Sequence, residues 1–583
     1  MNGPHRLRVA VTLLAVAFAA LAVRLVQLQV VDRQGFADRA ARQRLHVEAL
    51  PARPGEIVDR NGRLLAVSVT APSLYVVPNA IDDAEGFAAR ISEAIGSDGE
   101  RLAADLRRNQ DKSFLWVRRR LSESQAEAIR SLDLPRGTWG FRDEFLRHYP
   151  QGVVAAHVLG LRDVDGIGRG GVEQRYDELL RGRAGKRVTL RDARGRVVDV
   201  RHELTELPAA GRTIVLAIDA VVQLFAEQEL DALMAKHAPQ GACVVVIDVE
   251  SSDLLAVASR PTFDPNEPSV AVPDAWTNRA VTAVYEPGST FKPLVVAWAI
   301  DAGVLRADEM IDCERGVYRV GRRILHDHHG YDQLSVTEVL VKSSNIGMAK
   351  IGERLGVAEL HRCVTAFGFG RLTGTSLPGE EAGVVRPLRL WNDYSLGSVP
   401  MGHEIAVTPL QLIAAHAALA NRGRLVSPRL VLKDVDADFV GSEATNIGDD
   451  RPPQVKSQVT SPESSQWVVG EAMAEVVRRG TGKAASLKEF TVFGKTGTAQ
   501  KFDVESGRFS HDRHVVSFIA GAPAHHPKVL VLVMADEPTG PEQAGGTVAA
   551  PTAAAVLRRT LLYLGVPYDT SLPLATRSDG IAR

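Results

Sequence analysis

The sequence predicts an α+β fold: an N-terminal transmembrane helix, an irregular α+β module, and a larger C-terminal domain with one antiparallel sheet flanked by helices. Three observations predict it. An apolar run without acidic residues opens the chain. Short strand-like and helical runs then alternate as far as Leu207. Beyond Gly211, strand patterns stand at both ends of the remaining chain with helical patterns between them. A chain of 583 residues with 45% hydrophobic and 24% charged residues has the composition of several globular domains, which excludes wholesale disorder and a multi-span transporter. A net charge of -1, with no strongly basic half, excludes the electrostatic footprint of a nucleic-acid binder.

Residues 1–31 read as a cytoplasmic N-terminus and anchor. Val9 to Val23 carries no charge, and Leu25, Val26, Leu28, Val30 and Val31 resume the apolar run after Arg24. A helix over 9–31 reaches about 34 Å, enough for a hydrocarbon core of about 30 Å with Arg24 snorkelling to the far interface. Arg6 and Arg8 place the N-terminus in the cytoplasm and the body outside it. Ala17-Phe18-Ala19 has the form of a signal-peptidase site; the anchor reading is preferred because apolar residues continue past it.

Residues 32–207 form the module. Leu64 to Ser68 reads as a strand, Phe87 to Ile95 as a helix, and Asp59-Arg60-Asn61-Gly62-Arg63 as a hairpin turn in which Asn-Gly supplies positive backbone angles. The module holds no nucleophile with a base, so it reads as a spacer or docking platform. The connector Leu207 to Gly211 leads into residues 208–570, and 571–583 is a tail. Thr213 to Asp219 follows the connector as a strand-like run, and Val221 to Ala235 has helical spacing. Ala242 to Val249 and Leu254 to Ser259 read as a hairpin. Ser335-Val336-Thr337-Glu338 caps a helix to Lys342, Ile346 to Leu355 is a second helix stopped by Gly356, and Thr408-Pro409 starts another that Gly423 can end. Polar residues between Lys433 and Gln466 predict a mobile loop. Thr491 to Phe493, Val515 to Ala520 and Val529 to Met534 read as strands, and Pro551 opens a last helix through Leu564.

The chemistry concentrates in three short segments. In Glu286-Pro287-Gly288-Ser289-Thr290-Phe291-Lys292-Pro293, Ser289 can cap the next helix, and Ser289 and Lys292 lie one turn apart on one face, a hydroxyl and an amine within hydrogen-bond reach. A serine needs a base beside it, and lysine serves only where burial or a neighbouring cation favours its neutral form. Ser343-Ser344-Asn345 lies in a tight turn between two helices and can aim a hydroxyl and an amide into a cleft. Lys495-Thr496-Gly497-Thr498 follows a strand, where Gly497 lets a substrate backbone approach. Each alone is a common turn or strand end; together, in this order, they match the set used by penicillin-binding proteins and class A β-lactamases.

On these residues the chain resembles the class B penicillin-binding proteins, most closely the septal peptidoglycan D,D-transpeptidases. Arg53 to Ser68, Arg147-His148-Tyr149-Pro150, Ala156 to Gly160 and Gly170-Gly171-Val172-Glu173 are similar to the motifs of that family's pedestal domain. Asn278-Arg279-Ala280 and Val407-Thr408-Pro409-Leu410-Gln411 are similar to its transpeptidase signatures. Arg53-Pro54-Gly55 departs from the usual Arg-Gly, away from the active site, and Glu286 before Pro-Gly resembles septal members more than elongation-type ones.

The resemblance implies a pedestal or dimerisation domain over 32–207 and a serine β-lactamase-like, penicillin-binding transpeptidase domain over 208–570. It implies Ser289 as nucleophile on a peptidoglycan stem peptide, Lys292 as its base, Ser343 as proton relay and Asn345 as holder of the substrate amide. Lys495, Thr496 and Thr498 would bind the terminal carboxylate beside Gly497, and the N–H groups of Ser289 and Thr498 would form the oxyanion hole. Implied ligands and partners are stem peptides, β-lactam antibiotics, the cytoplasmic membrane, a lipid-linked precursor glycosyltransferase and other division proteins, with no cofactor, no metal and no nucleic acid. His326-Asp327-His328-His329 reads as a polar loop rather than a metal site. Cys243, in a strand pattern, reads as core, and any pairing of Cys313 with Cys363 stays open. The alternatives are an elongation-type transpeptidase, a β-lactamase or carboxypeptidase, against which no Glu-x-x-Leu-Asn segment lies between Asn345 and Lys495, and a non-catalytic sensor or scaffold of the same fold.

Overall fold

The computed structural model describes residues 3–34, 45–191, 197–200, 202–320, 323–435, 454–503, 508–540 and 543–570. The predicted tail, 571–583, lies outside them, as does 436–453 of the predicted loop. Packing divides the chain into two compact units, Met1–Pro54 with Arg181–Gly211, and Gly55–Leu180 with Arg212–Arg583.

In the first unit Gly3–Val26 is helical and Gln27–Val31 continues it with a wider turn. The apolar stretch Leu7–Val31 is 25 residues long and unpacked, the one helix among the described residues long and apolar enough to cross a membrane. Arg24 Nη1 donates to Gln27 Oε1 at 2.8 Å, so its guanidinium reaches toward the C-terminal end of the stretch. The same unit holds a small antiparallel sheet in which Gly185–Arg191 pairs with Leu45–Leu50 and Val197–Val200.

The second unit begins with Ile57–Val58, which turns back into a strand that runs on to Val76, well past Ser68. Asp59 Oδ1 accepts from Asn61 N and Arg63 N, both at 2.8 Å, and Gly62 takes the positive φ of the turn (79°). Thr213–Leu216 does not open the catalytic sheet. It pairs in parallel with Ile57–Val58 and antiparallel with Val431–Val435. Beside this sheet, Glu173 is fully buried between Arg147 (Nε–Oε1 2.6 Å) and Arg162 (Nε–Oε2 2.7 Å), with Tyr149 OH donating to the same carboxylate at 3.3 Å. Two cations around one buried anion fix this junction, because removing the anion leaves Arg147 without a carboxylate and Arg162 with Asp177 alone (2.9 Å).

The catalytic part follows in the order α1 (Ala220–His237), β1 (Gly241–Asp248), β2 (Leu254–Arg260), α2 (Lys292–Asp301), α3 (Val336–Val341), α4 (Asn345–Ala366), α5 (Pro409–Ala420), β3 (Phe493–Asp503), β4 (Arg508–Ala522), β5 (Val529–Asp536) and α6 (Gly545–Tyr563). The five strands make one antiparallel sheet in the order β2-β1-β5-β4-β3, so the two ends of this part complete each other as the strand pattern predicts. Strand periodicity sorts the core into two layers. Cys243, Val245 and Ile247 of β1 face the helical insertion that contains α2 to α5. Ala242, Val244 and Val246 face α1 and α6. Each valine so buried contributes about 1.5–3 kcal/mol, which suits β-branched residues to this twice-covered strand. The Cys243 thiol is pushed up to about 12 by burial, and all three cysteines are free and buried.

Several elements differ from expectation. α6 begins at Gly545, six residues before Pro551, which occupies its exposed face; burial of Val548, Ala549 and Ala553 outweighs the hydrogen bond the proline cannot make. α4, which the sequence stops at Leu355, runs on to Ala366, with Gly356 (φ 74°) as a break inside it. Within the predicted loop, Val455–Gln458 pairs with Arg424–Val426, and Pro462–Trp467 is helical.

Candidate active site

Ser289 lies in a tight three-residue-per-turn segment, Gly288–Phe291, that leads directly into α2, and it does not cap that helix. In such a turn residues i and i+3 eclipse, which brings Ser289 and Lys292 to one face. Thr290 fastens the turn from both ends. Its Oγ1 donates to Pro287 O at 2.6 Å, and its carbonyl accepts from His416 Nε2 of α5 at 2.8 Å. Burial pushes His416 down to about 4, so the imidazole is neutral and its Nε2 proton belongs to this bond. On the other flank, Glu286 accepts from His403 Nδ1 (2.7 Å) and Glu404 N (2.9 Å), and Gly288 N donates to Gly402 O at 3.1 Å. Gly402 must lack a side chain, since a Cβ there would lie 2.1 Å from Gly288 O.

Lys292 is fully buried, and its Nζ turns to the Ser343-Ser344-Asn345 turn. It donates to Ser343 O (2.7 Å), Asn345 Oδ1 (2.9 Å), Ser343 Oγ (3.3 Å) and Ser344 O (3.3 Å); none of its bonds among the described residues goes to Ser289. From the third segment, Lys495 Nζ reaches the same Ser343 Oγ at 3.0 Å. The Ser343 hydroxyl thus accepts from both amines, leaving its own proton free to point into the cleft. Burial pushes Lys292 down to about 7, against the pull of the Asp327 carboxylate. Lys495 is held well below its ordinary value by burial and by the neighbouring Lys292.

The Ser343 turn joins α3 to α4 with Ser343 in the left-handed region (φ 57°), a strained conformation for a residue with a side chain. Asp327 holds it there. One carboxylate oxygen accepts from Ser344 Oγ at 2.6 Å, and the other accepts from Asn345 N and from Ile346 N at 3.2 Å. Ser344 Oγ in turn accepts from Gly347 N (2.9 Å) and so caps α4. Both oxygens of Asp327 are committed to this helix start, and no cluster able to hold a metal occurs among the described residues.

Lys495-Thr496-Gly497-Thr498 lies inside β3 rather than after a strand, and β3 is the edge strand of the sheet. Its outer backbone groups can therefore pair with an extended ligand. Gly497 lets the Ser289 turn pack against β3: a Cβ there would stand 2.9 Å from Pro287 O and 2.5 Å from Ser517 Oγ. Thr496 is buried, its hydroxyl shared with Thr481 Oγ1 at 2.9 Å. Thr498 is exposed, its Oγ1 accepting from Gly545 N at 3.3 Å where α6 begins.

The structure thus brings Lys292, Ser343, Asn345 and Lys495 into one hydrogen-bonded cluster, next to the turn that carries Ser289. Sequence reading missed Asp327, His416 and His403 as supports. Asp327 lay in the segment set aside as a polar loop, and His416 sits in an otherwise apolar helix with no local signal of what it faces.

Comparison with known proteins gives a consistent picture. Residues 242–558 match the family model described as the penicillin binding protein transpeptidase domain, and 49–216 match the penicillin-binding protein dimerisation domain. The chain is 33% identical over 582 residues to a Neisseria gonorrhoeae protein named "Probable peptidoglycan D,D-transpeptidase PenA", covering 97% of this chain and 94% of the relative. It is 31% identical over 565 residues to the peptidoglycan D,D-transpeptidase FtsI of Escherichia coli K12, covering 96% and 91%. Among solved structures, penicillin binding protein 3 of Mycobacterium tuberculosis in complex with aztreonam superposes with a TM-score of 0.68 at 26% identity, covering 90% of this chain and 98% of that one.

Proposed function

Because the chain belongs to the penicillin-binding protein transpeptidase family, we propose that it is a membrane-anchored peptidoglycan D,D-transpeptidase that crosslinks stem peptides through a Ser289 acyl-enzyme in septal wall synthesis. The observation that carries this reading is the meeting of three separate segments at one hydroxyl: Ser343 Oγ lies 3.3 Å from Lys292 Nζ and 3.0 Å from Lys495 Nζ, beside the Ser289 turn. The septal assignment is supported by the 31% identity to FtsI along nearly the whole chain.

The substrate stem lies along the edge of β3 as an added strand. Its terminal carboxylate comes to Lys495 and Thr498, and that negative charge restores the ammonium form of Lys495. The recharged Lys495 in turn holds Lys292 neutral. Ser289 Oγ attacks the carbonyl carbon of the penultimate D-alanine, and its proton passes to Lys292 Nζ. The N–H groups of Ser289 and Thr498 receive the oxyanion, each such donor being worth about 3 kcal/mol in the transition state. As the carbon–nitrogen bond breaks, Ser343 gives its proton to the departing D-alanine amine and takes in its place the one held on Lys292, while Asn345 holds the substrate amide. An amine of a neighbouring stem then attacks the acyl-enzyme carbonyl and gives up a proton to Lys292; the bond to Ser289 Oγ breaks as that oxygen takes the proton back, and the crosslink is released. β-Lactams acylate Ser289 by the same path.

In this reading residues 1–8 lie in the cytoplasm and the catalytic part outside the cytoplasmic membrane, a topology supported by Arg6 and Arg8 ahead of the apolar run. The glycan strands it crosslinks come from a lipid-linked precursor glycosyltransferase, joined with other division proteins at the membrane. The test of the chemistry is intact-mass analysis of the detergent-purified chain after benzylpenicillin treatment. A lasting adduct mapped to Ser289 and absent from Ser289→Ala is expected; an adduct of equal yield on the variant would refute it.

A further inference from the structure

A cavity of about 660 Å3 opens at the far end of α2 from Ser289. The C-terminal Asp301 of α2 accepts from Ser461 N (3.0 Å) and Ser464 Oγ (3.4 Å), at the start of the helix whose last residues, Gln466 and Trp467, form one wall of the cavity. The other walls are the end of β1, the turn between β4 and β5, and the turn that follows α5. α2, ten residues or about 15 Å long, runs from the Ser289 turn to Asp301, which holds the start of that wall helix.

Arg422, Arg424, His525, His526 and Lys528 converge on this space, and all five are exposed. Among the described residues only Lys528 of these five has an acidic neighbour within reach, Glu250 at 3.9 Å. The side chains of Arg422, Arg424 and both histidines have no hydrogen bond or ion pair among the described residues. The one further acid is Glu471. Their frame is rigid: Arg422 O accepts from Gln458 Nε2 at 2.7 Å, and Gly423 N donates to Ala418 O at 2.7 Å. Two unpaired guanidiniums on a fixed turn suit carboxylates, which they bind in paired hydrogen bonds. Trp467, half-buried in the wall, offers an apolar surface on which a sugar ring can pack, with Asn421 and Gln466 beside it for hydroxyl and amide groups.

We propose that this cavity is a second binding site for the substrate polymer, taking an anionic muropeptide unit that does not itself react: its carboxylates on Arg422 and Arg424, its sugar on Trp467. The inference rests on the transpeptidase reading above. The volume falls in the range of pockets that enclose small ligands, about 300–1,000 Å3, whereas a protein partner needs a broad face of about 800 Å2. A strand held here raises the local concentration of stems at Ser289 without touching the chemistry.

The test uses the full chain in detergent, first acylated with benzylpenicillin so that the catalytic cleft is closed, and then titrated calorimetrically with a soluble disaccharide-tetrapeptide. Saturable binding is expected, weakened at least about tenfold in Arg422→Asn/Arg424→Gln, where asparagine suits the left-handed φ of 55° at position 422. The penicillin acylation rate and melting temperature of that variant should match the parent; if it does not fold, the single variant Arg424→Gln serves in its place with the same criterion. The proposal is overturned by no saturable binding, by equal affinity in the variant, or by equal affinity for a neutral chitooligosaccharide. Tighter binding of a polyglutamate peptide would overturn it in favour of an acidic protein partner. Failure of Ser289 to acylate at the outset counts against the transpeptidase reading instead.

Discussion

The buried amine of Lys292 makes a quantitative prediction about pH. Burial lowers it from 10.5 to about 7, with the Asp327 carboxylate opposing. At pH 7 about half of it is neutral and able to take the Ser289 proton, where an unshifted lysine would be neutral in about 3 molecules per 10,000; the shift is therefore worth about 1,500-fold in available base. The second-order rate of acylation by benzylpenicillin, followed by stopped-flow or quenched mass analysis from pH 5 to 8.5, should rise about tenfold per unit on the acid side and level off above an inflection near 7. Asp327→Asn removes the charge that raises Lys292, so its inflection should move to lower pH. Its plateau should also fall, because Ser344 and the start of α4 lose a charged acceptor. A rate that is flat from pH 5 to 8.5, or an inflection that moves upward in Asp327→Asn, would refute Lys292 as the base.

Lys292→Met should lose acylation and also change how stability depends on pH. A lysine whose folded pKa is depressed binds fewer protons than the unfolded chain between about 7 and 10.5, so its contribution improves as pH rises through that window. The parent should lose about 3 kcal/mol relative to the variant on going from pH 9 to pH 6, and melting curves showing no such difference would contradict the burial argument. Gly497→Ala places a methyl against Pro287 O and Ser517 Oγ. It should cost about 1–3 kcal/mol of stability and at least about tenfold in acylation rate, and a full rate would show that the nucleophile turn does not depend on this contact. Glu173→Gln leaves Arg147 and Arg162 without their shared anion and should destabilise the chain by about 3–5 kcal/mol while the penicillin adduct still forms below the melting temperature. An unchanged melting temperature would remove the triad from the list of structural supports.

Local rules carried a large part of this protein. The uncharged run from Val9 to Val23, the continuous apolar run of β1, the capping serine at 335 and the three Ser/Lys-bearing segments all follow from short-range chemistry, and short-range chemistry is written in neighbouring residues. What neighbours cannot encode is which distant groups meet. Lys292 and Lys495 reach Ser343 across 51 and 152 residues of sequence, and only their convergence gives the hydroxyl two donors, buries both amines and sets Lys292 where it lowers Lys495. Asp327 reads as one acid among histidines until the fold sets it under the start of α4. His416 reads as a polar intruder in an apolar helix until Thr290 O is found beside it. Gly497 looks like room for a ligand until the sheet presses it against the nucleophile turn. Pro551 looks like a helix start until burial on both sides of it extends α6 back to Gly545. In each case the deciding quantity is desolvation or steric contact between parts of the chain far apart in sequence. Such contacts come into being only when the packed core fixes those parts together.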